Sequence, residues 1–190
     1  MLIEKDKSGL VIIDVQEKLV SVMPKPHTFI DNIIKLITAA NHLEIPVEYS
    51  EQYPKGLGNT IKKIQECHNY YKNPTIFKAR EKTSFAIPDF PEAEHYIVCG
   101  IEAHICVLQT AFNLIKKINT KEPISSIHEK RRVFIVQDAI SSRYEKDYLT
   151  ALSRLDKHPN IEIVTTEMVL FEWLRNSKHK KFKEISSLIK

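Results

Sequence analysis

Residues 96–110 read YIVCGIEAHICVLQT, and the change of pattern inside this stretch decides the fold. Tyr96–Cys99 is short, β-branched at its centre and apolar, which suits a strand buried on both faces. From His104 onward, Ile105, Leu108, Phe112 and Ile115 recur at helical spacing. Gly100, one of four glycines in 190 residues, marks the junction. Cys106 then falls where a strand has ended and a helix has just begun.

The same alternation extends outward in both directions. SGLVIID (8–14) is a near-continuous apolar run ending in an acid, and a helical pattern follows from Thr28 to Leu43. IPVEYS (45–50) is strand-like, Thr60–His68 helical, and PTIFK (74–78) the next strand candidate. Beyond the opening stretch come RRVFIVQDA (131–139), a helix over Lys146–Asp156, IEIVTT (161–166), and a helical region opening at Glu167–Leu174. Continuous apolar strands separated by helices predict an α/β fold: a three-layer, Rossmann-like domain with a six-stranded parallel sheet and helices on both faces. No linker or repeat interrupts it, so residues 1–190 are expected to form one domain. Such sheets carry their chemistry at the carboxyl ends of the strands. Asp14, the Cys106 segment and Asp138 all meet that expectation.

Composition narrows the classes. Apolar residues make up 43% and charged residues 27%, as in an ordinary globular protein. The net charge of +4 is mild, and the basic clusters at Lys116–Arg132 and Lys178–Lys190 read as solvated faces, so nucleic acid is not the expected partner. No apolar stretch reaches the length that spans a bilayer. The first strand starts by about Gly9, which leaves no room for a leader, and a cytoplasmic protein (mitochondrial association left open) is the default. Three cysteines at 67, 99 and 106 and eight scattered histidines show no ligand spacing, so neither a metal nor another cofactor is expected.

Cys106 at the start of a helix faces the positive end of the helix dipole, which favours the thiolate. Backbone N–H groups there lack intrahelical partners and can meet a developing oxyanion. Either Cys106 is a nucleophile or it merely packs the helix on the sheet. A nucleophilic thiol needs a proton acceptor. His104 lies two residues away, on a different helix face, and is placed at the rim or in solvent. Asp14 is better situated because strand ends converge, although an acid after a strand also serves as a loop cap. Lys82, in REKTSFAIP (80–88), is the candidate cation, with Lys78 and Arg80 as competitors.

IIDVQ, EKTSF, GIEAHICVLQT, YSEQYPKGLGNT, VQDAISSR and FKEISSLIK, in this order of interest, resemble the isochorismatase-like cysteine hydrolases, and most of all their isochorismatase domain-containing branch. The resemblance implies a hydrolase acting on a small amide-type or related C–N substrate, with Cys106 as nucleophile, Asp14 as base and Lys82 as the stabilising cation. It also implies a non-proline cis peptide between Ile101 and Glu102, and an oxyanion hole from the N–H groups of Glu102 and Cys106. Gln16 either lines the pocket or serves the surface, and His104 is a second possible pocket residue. Nicotinamidases of this superfamily bind a metal through Asp-x-His and a further histidine. EYSEQYPKGLG (48–58) has neither residue, which points to a metal-free site. A homo-oligomer is expected from the family. Two departures stand out: a short segment between Lys82 and Cys106, and a long polar loop at 118–130. The alternative class is a non-catalytic or redox-sensing scaffold that keeps the fold and its thiol.

Overall fold

The computed structural model describes residues 1–71, 78–86, 93–116 and 131–190. The expected features at 74–77, 87–92 and 118–130 lie outside these residues.

Six strands form one sheet: β1 (Ser8–Ile13), β2 (Val47–Gln52), β3 (Arg80–Lys82), β4 (His95–Ile101), β5 (Arg132–Ser141) and β6 (Ile161–Val164). Their order is β3-β2-β1-β4-β5-β6, and every pairing is parallel. The two central strands, β1 and β4, are buried along their whole length. That burial is why their sequences read as unbroken apolar runs rather than alternating ones.

The helices follow from the order of the strands. From β1 the chain moves one way across the sheet to β2, and from β4 it moves the other way to β5. Right-handed crossovers therefore place the intervening helices on opposite faces. The first is α2 (Pro26–His42), which follows the short α1 (Glu17–Val20) and lies across β1, β4 and β5. Its apolar stripe includes Phe29, Ile33, Leu36, Ile37 and Ala40. After α3 (Pro54–Leu57) comes α4 (Lys62–Tyr71), which packs beside α2. On the other crossover, α5 (Leu108–Lys116) packs against β5, and α6 (Glu145–Leu155) against β6. Two further helices, α7 (Thr166–Leu174) and α8 (Phe182–Ser186), also contact α2. Trp173 of α7 is buried and donates its indole N–H to Ser8 Oγ at 3.0 Å, tying the end of the chain to the start of β1.

The sheet reverses direction between β1 and β4, so a crevice opens at their carboxyl ends. One expectation needs correction here. Asp138 lies within β5, which runs on to Ser141, and not at its end. Its Oδ1 accepts the N–H and hydroxyl of Thr166, so it anchors the start of α7. Among the described residues the third strand is Arg80–Lys82, paired with β2 at the edge of the sheet.

Candidate active site

Gly100 and Ile13 are directly paired across β4 and β1. Gly100 has φ +116°, and a Cβ there would sit 2.1 Å from the Ile13 carbonyl oxygen. Only glycine permits both the backbone and the approach. The approach matters because the next residue after Ile13 is Asp14, held at φ 51°. An Asp tolerates this left-handed conformation better than most side chains. Its N–H donates to the Ser50 carbonyl at 3.2 Å, and the buried carboxylate turns into the crevice.

That carboxylate is fully paired. Ser50 Oγ donates to Oδ1 at 2.6 Å, and Lys82 Nζ stands 2.6 Å from Oδ2. The parallel register of β3 on β2 puts Lys82 opposite Gln52, and Gln52 Oε1 accepts a further Lys82 bond at 3.2 Å. The carbonyls of Ser84 and Phe85 complete the ammonium's shell at 3.4 and 3.2 Å. Both side chains of the ion pair are sealed from solvent, at 1% and 0% exposure. Lys78 and Arg80, the competitors for this role, are exposed, and Arg80 pairs with Glu48 instead.

The Ile101–Glu102 peptide bond is cis. A π-helical turn, Ala103–Val107, follows it and leads into α5. The Glu102 carbonyl accepts the N–H groups of Ile105 and Val107 at 3.1 and 3.2 Å. Cys106 thus sits in a π turn ahead of the α-helix, a device frequent at functional sites. Cys106 lies in the first turn of a helix, as expected, and that turn is π rather than α. Burial, first of all, pushes the Cys106 thiol up to about 12 from its ordinary value of 9.0. The charge of Asp14 raises it further, Lys82 opposes, the hydrogen bond between thiol and Asp14 raises it, and the Glu102 N–H lowers it. Burial and the Asp14 charge both favour the protonated thiol over the thiolate.

The remaining candidates fall in different places. Gln16 is fully buried and spends its amide on backbone: Nε2 donates to the carbonyls of Gln52 and Gly58, and Oε1 accepts the Gln52 N–H. It braces the ends of β1 and β2 and is not at the surface. His104 is partly exposed, with Nδ1 3.0 Å from Ser142 Oγ and Nε2 4.0 Å from Asp147. Ser50, Gln52 and the Glu102–Arg143 pair escaped the sequence reading, since nothing in YSEQY or SSR marks which side chain turns inward. A separate cleft of about 540 Å³ runs along α5, past Ala86, Leu108, Phe112 and Arg154, and is lined by none of Asp14, Lys82 or Cys106. Among the described residues, no group of three or more His, Cys, Asp or Glu is arranged to hold a metal ion. No described helix is long and apolar enough to cross a membrane.

A parallel six-stranded α/β sheet with a polar cluster at its topological switch places the chain among the three-layer domains that work at strand ends. Comparison with known proteins makes the assignment specific. The Isochorismatase domain family matches residues 8–168, and the chain belongs to that family. It is 33% identical over 183 residues to isochorismatase domain-containing protein 2 of Danio rerio, covering 96% of this chain and 86% of that protein. Among solved structures, the MAR1 ribonuclease of Caenorhabditis elegans superposes with a TM-score of 0.82 at 32% identity, covering 100% of this chain and 92% of the other. The nicotinamidase PncA of Bacillus subtilis, 16% identical with a TM-score of 0.63 over 83% of this chain and 99% of its own, shares the fold.

Proposed function

We propose that the protein is a metal-independent cysteine hydrolase that cleaves a small amide-type or related C–N bond through a covalent Cys106 intermediate. The observation that carries this reading is one buried carboxylate, Asp14, that is paired at 2.6 Å with a buried ammonium and whose charge acts on the Cys106 thiol. Lys82 supplies the opposite charge that a carboxylate buried in the fold requires. Asp14 in turn removes the thiol proton as sulfur attacks the substrate carbonyl carbon. The S–C bond forms while the carbonyl π pair moves to oxygen, where the N–H groups of Glu102 and Cys106 are the donors. Collapse expels the amine, which takes the proton from Asp14, and leaves a thioester. Water then attacks with Asp14 again as base, and the acid and the free thiol are released.

Burial and the Asp14 charge hold Cys106 as a thiol, so its attack requires transfer of the proton to Asp14. The C. elegans relative's description as a ribonuclease brings a second activity to test. A buried ion pair is poorly placed to meet a phosphodiester chain, whose charges are met at accessible cations. The chain is also taken to act as one domain over 1–190, without cofactor, as a cytoplasmic homo-oligomer whose size light scattering measures.

The test is turnover on a panel of small amides in the presence of EDTA, beside single-stranded RNA. Hydrolysis of an amide that disappears in Cys106→Ala supports the reading. RNA cleavage that survives Cys106→Ala, with no amide turned over, refutes it.

A further inference from the structure

We propose that Arg143 is a positioning residue that fixes the oxyanion-donor peptide by gripping the Glu102 carboxylate. This rests on the hydrolase reading above. Glu102 is 5% exposed. Its carbonyl caps the π turn by accepting the N–H groups of Ile105 and Val107. Its Oε2 accepts two bonds from one residue, the backbone N–H of Arg143 at 3.0 Å and the Arg143 Nε–H at 3.1 Å.

The sheet register explains how Arg143 comes to be there. Val98 pairs with Ile135 and Gly100 with Ile140, so β4 advances two residues while β5 advances five. The three extra residues take up about 10 Å of strand at the usual rise per residue. Without them Arg143 would lie that far beyond the end of β4. With them, Ile101 pairs with Ser141, and Ser142 and Arg143 flank the turn that carries Cys106. Ser142 holds His104 and Arg143 holds Glu102, one on each side of Ala103.

A stability role alone explains this arrangement poorly. An apolar residue would fill a buried site at least as well as a paired carboxylate. The Arg143 side chain is 47% exposed, where an ion pair adds little. What two bonds to one carboxylate oxygen do supply is direction. They set the rotation of Glu102, and with it the aim of its N–H.

The experiment compares two reactions of the same sulfur. p-Nitrophenyl acetate acylates Cys106: the thiol proton passes to Asp14, a thioester forms through an oxyanion, and p-nitrophenolate leaves. Iodoacetamide alkylates Cys106 by displacing iodide, with no oxyanion. Arg143→Ala is expected to slow acylation by about 10- to 100-fold, the cost of a loosely held reacting geometry, and to change alkylation by less than about threefold. Added guanidinium ion restores acylation in Arg143→Ala, whereas sodium chloride at equal ionic strength does not. Glu102→Gln loses acylation similarly and is not rescued. Parallel losses in the two reactions, or wild-type acylation by Arg143→Ala, overturn the proposal. A wild-type protein acylated no faster than Cys106→Ala overturns the hydrolase reading itself, and that is seen before any Arg143 variant is compared.

Discussion

Lys82 Nζ lies 2.6 Å from Asp14 Oδ2, although the two residues are 68 positions apart and come from strands separated by β2. Neither is solvated, so each is the other's charge partner inside the fold. Removing one partner from such a pair costs about 3–5 kcal/mol, because the remaining charge is left buried and alone. Lys82→Met should therefore lower stability by about that amount. Asp14→Asn introduced into Lys82→Met should recover part of the loss. Urea unfolding of the two variants measures both effects, and a double variant less stable than Lys82→Met would contradict the account.

The same pair sets the chemistry of Cys106 in a direction that separates reactivity from catalysis. Asp14 raises the thiol and Lys82 lowers it. Asp14→Asn should thus bring the thiol down, so that iodoacetamide reacts faster at pH 8 while amide turnover is abolished. In the wild type, alkylation should keep rising through pH 10 toward a midpoint near 12. A wild-type midpoint below 9 would show that the burial and Asp14 contributions are misjudged.

Alkali should destabilise the fold. The thiols of Cys67, Cys99 and Cys106 are all raised from 9.0, in each case first by burial. A thiol raised in the folded state contributes stability that is fully present below its unfolded value. That contribution is lost as the pH rises through 9 toward the folded value. Thermal unfolding midpoints should fall steadily above pH 9, and less steeply in Cys106→Ala. An unchanged slope in that variant would count against the raised Cys106 value.

Ser50 is the second anchor of the carboxylate. Ser50→Ala leaves Asp14 Oδ1 without its donor and should cost about 1–3 kcal/mol. It should also slow acylation by p-nitrophenyl acetate more than alkylation by iodoacetamide, because a freer Asp14 is a worse-placed base. Equal effects on the two reactions would reduce Ser50 to a packing role.

Gly100→Ala should be among the most damaging single changes in the chain. The added methyl would meet the Ile13 carbonyl oxygen at 2.1 Å, at a φ of +116°. A loss of about 4 kcal/mol or more is expected, as for the severest backbone and packing defects. Circular dichroism and urea titration of the variant decide it, and a loss under about 1 kcal/mol would rule out the close approach of β1 and β4.

The central strands were legible because full burial makes β1 and β4 continuous apolar runs, and α2 was legible because burial on one face gives it a 3.6-residue stripe. The end of β5 was not. VQDAIS changes from apolar to polar, yet the register shift against β4 keeps the strand going to Ser141. Asp14, Lys82 and Cys106 were nameable from residue type, position after a strand and resemblance to a family. Arg80 and Lys82 share a face of β3, and the position of Lys82 at the carboxyl end, opposite Gln52, is what brings it to Asp14. Ser50 and Arg143 carried no local signal, because a serine in a strand and an arginine in a loop are ordinary.

The sequence by itself determined the alternation of strands and helices, the glycine at the tight crossing, and the residue types that meet there, since propensity and periodicity are local properties of the chain. The tertiary structure alone decided the ionisation of the thiol. A dipole argument read along the chain gives a lowered value, and the folded site gives a raised one. The charge on a group depends on how much water is excluded around it and which charges lie within a few ångströms. Both are set by segments far apart in sequence.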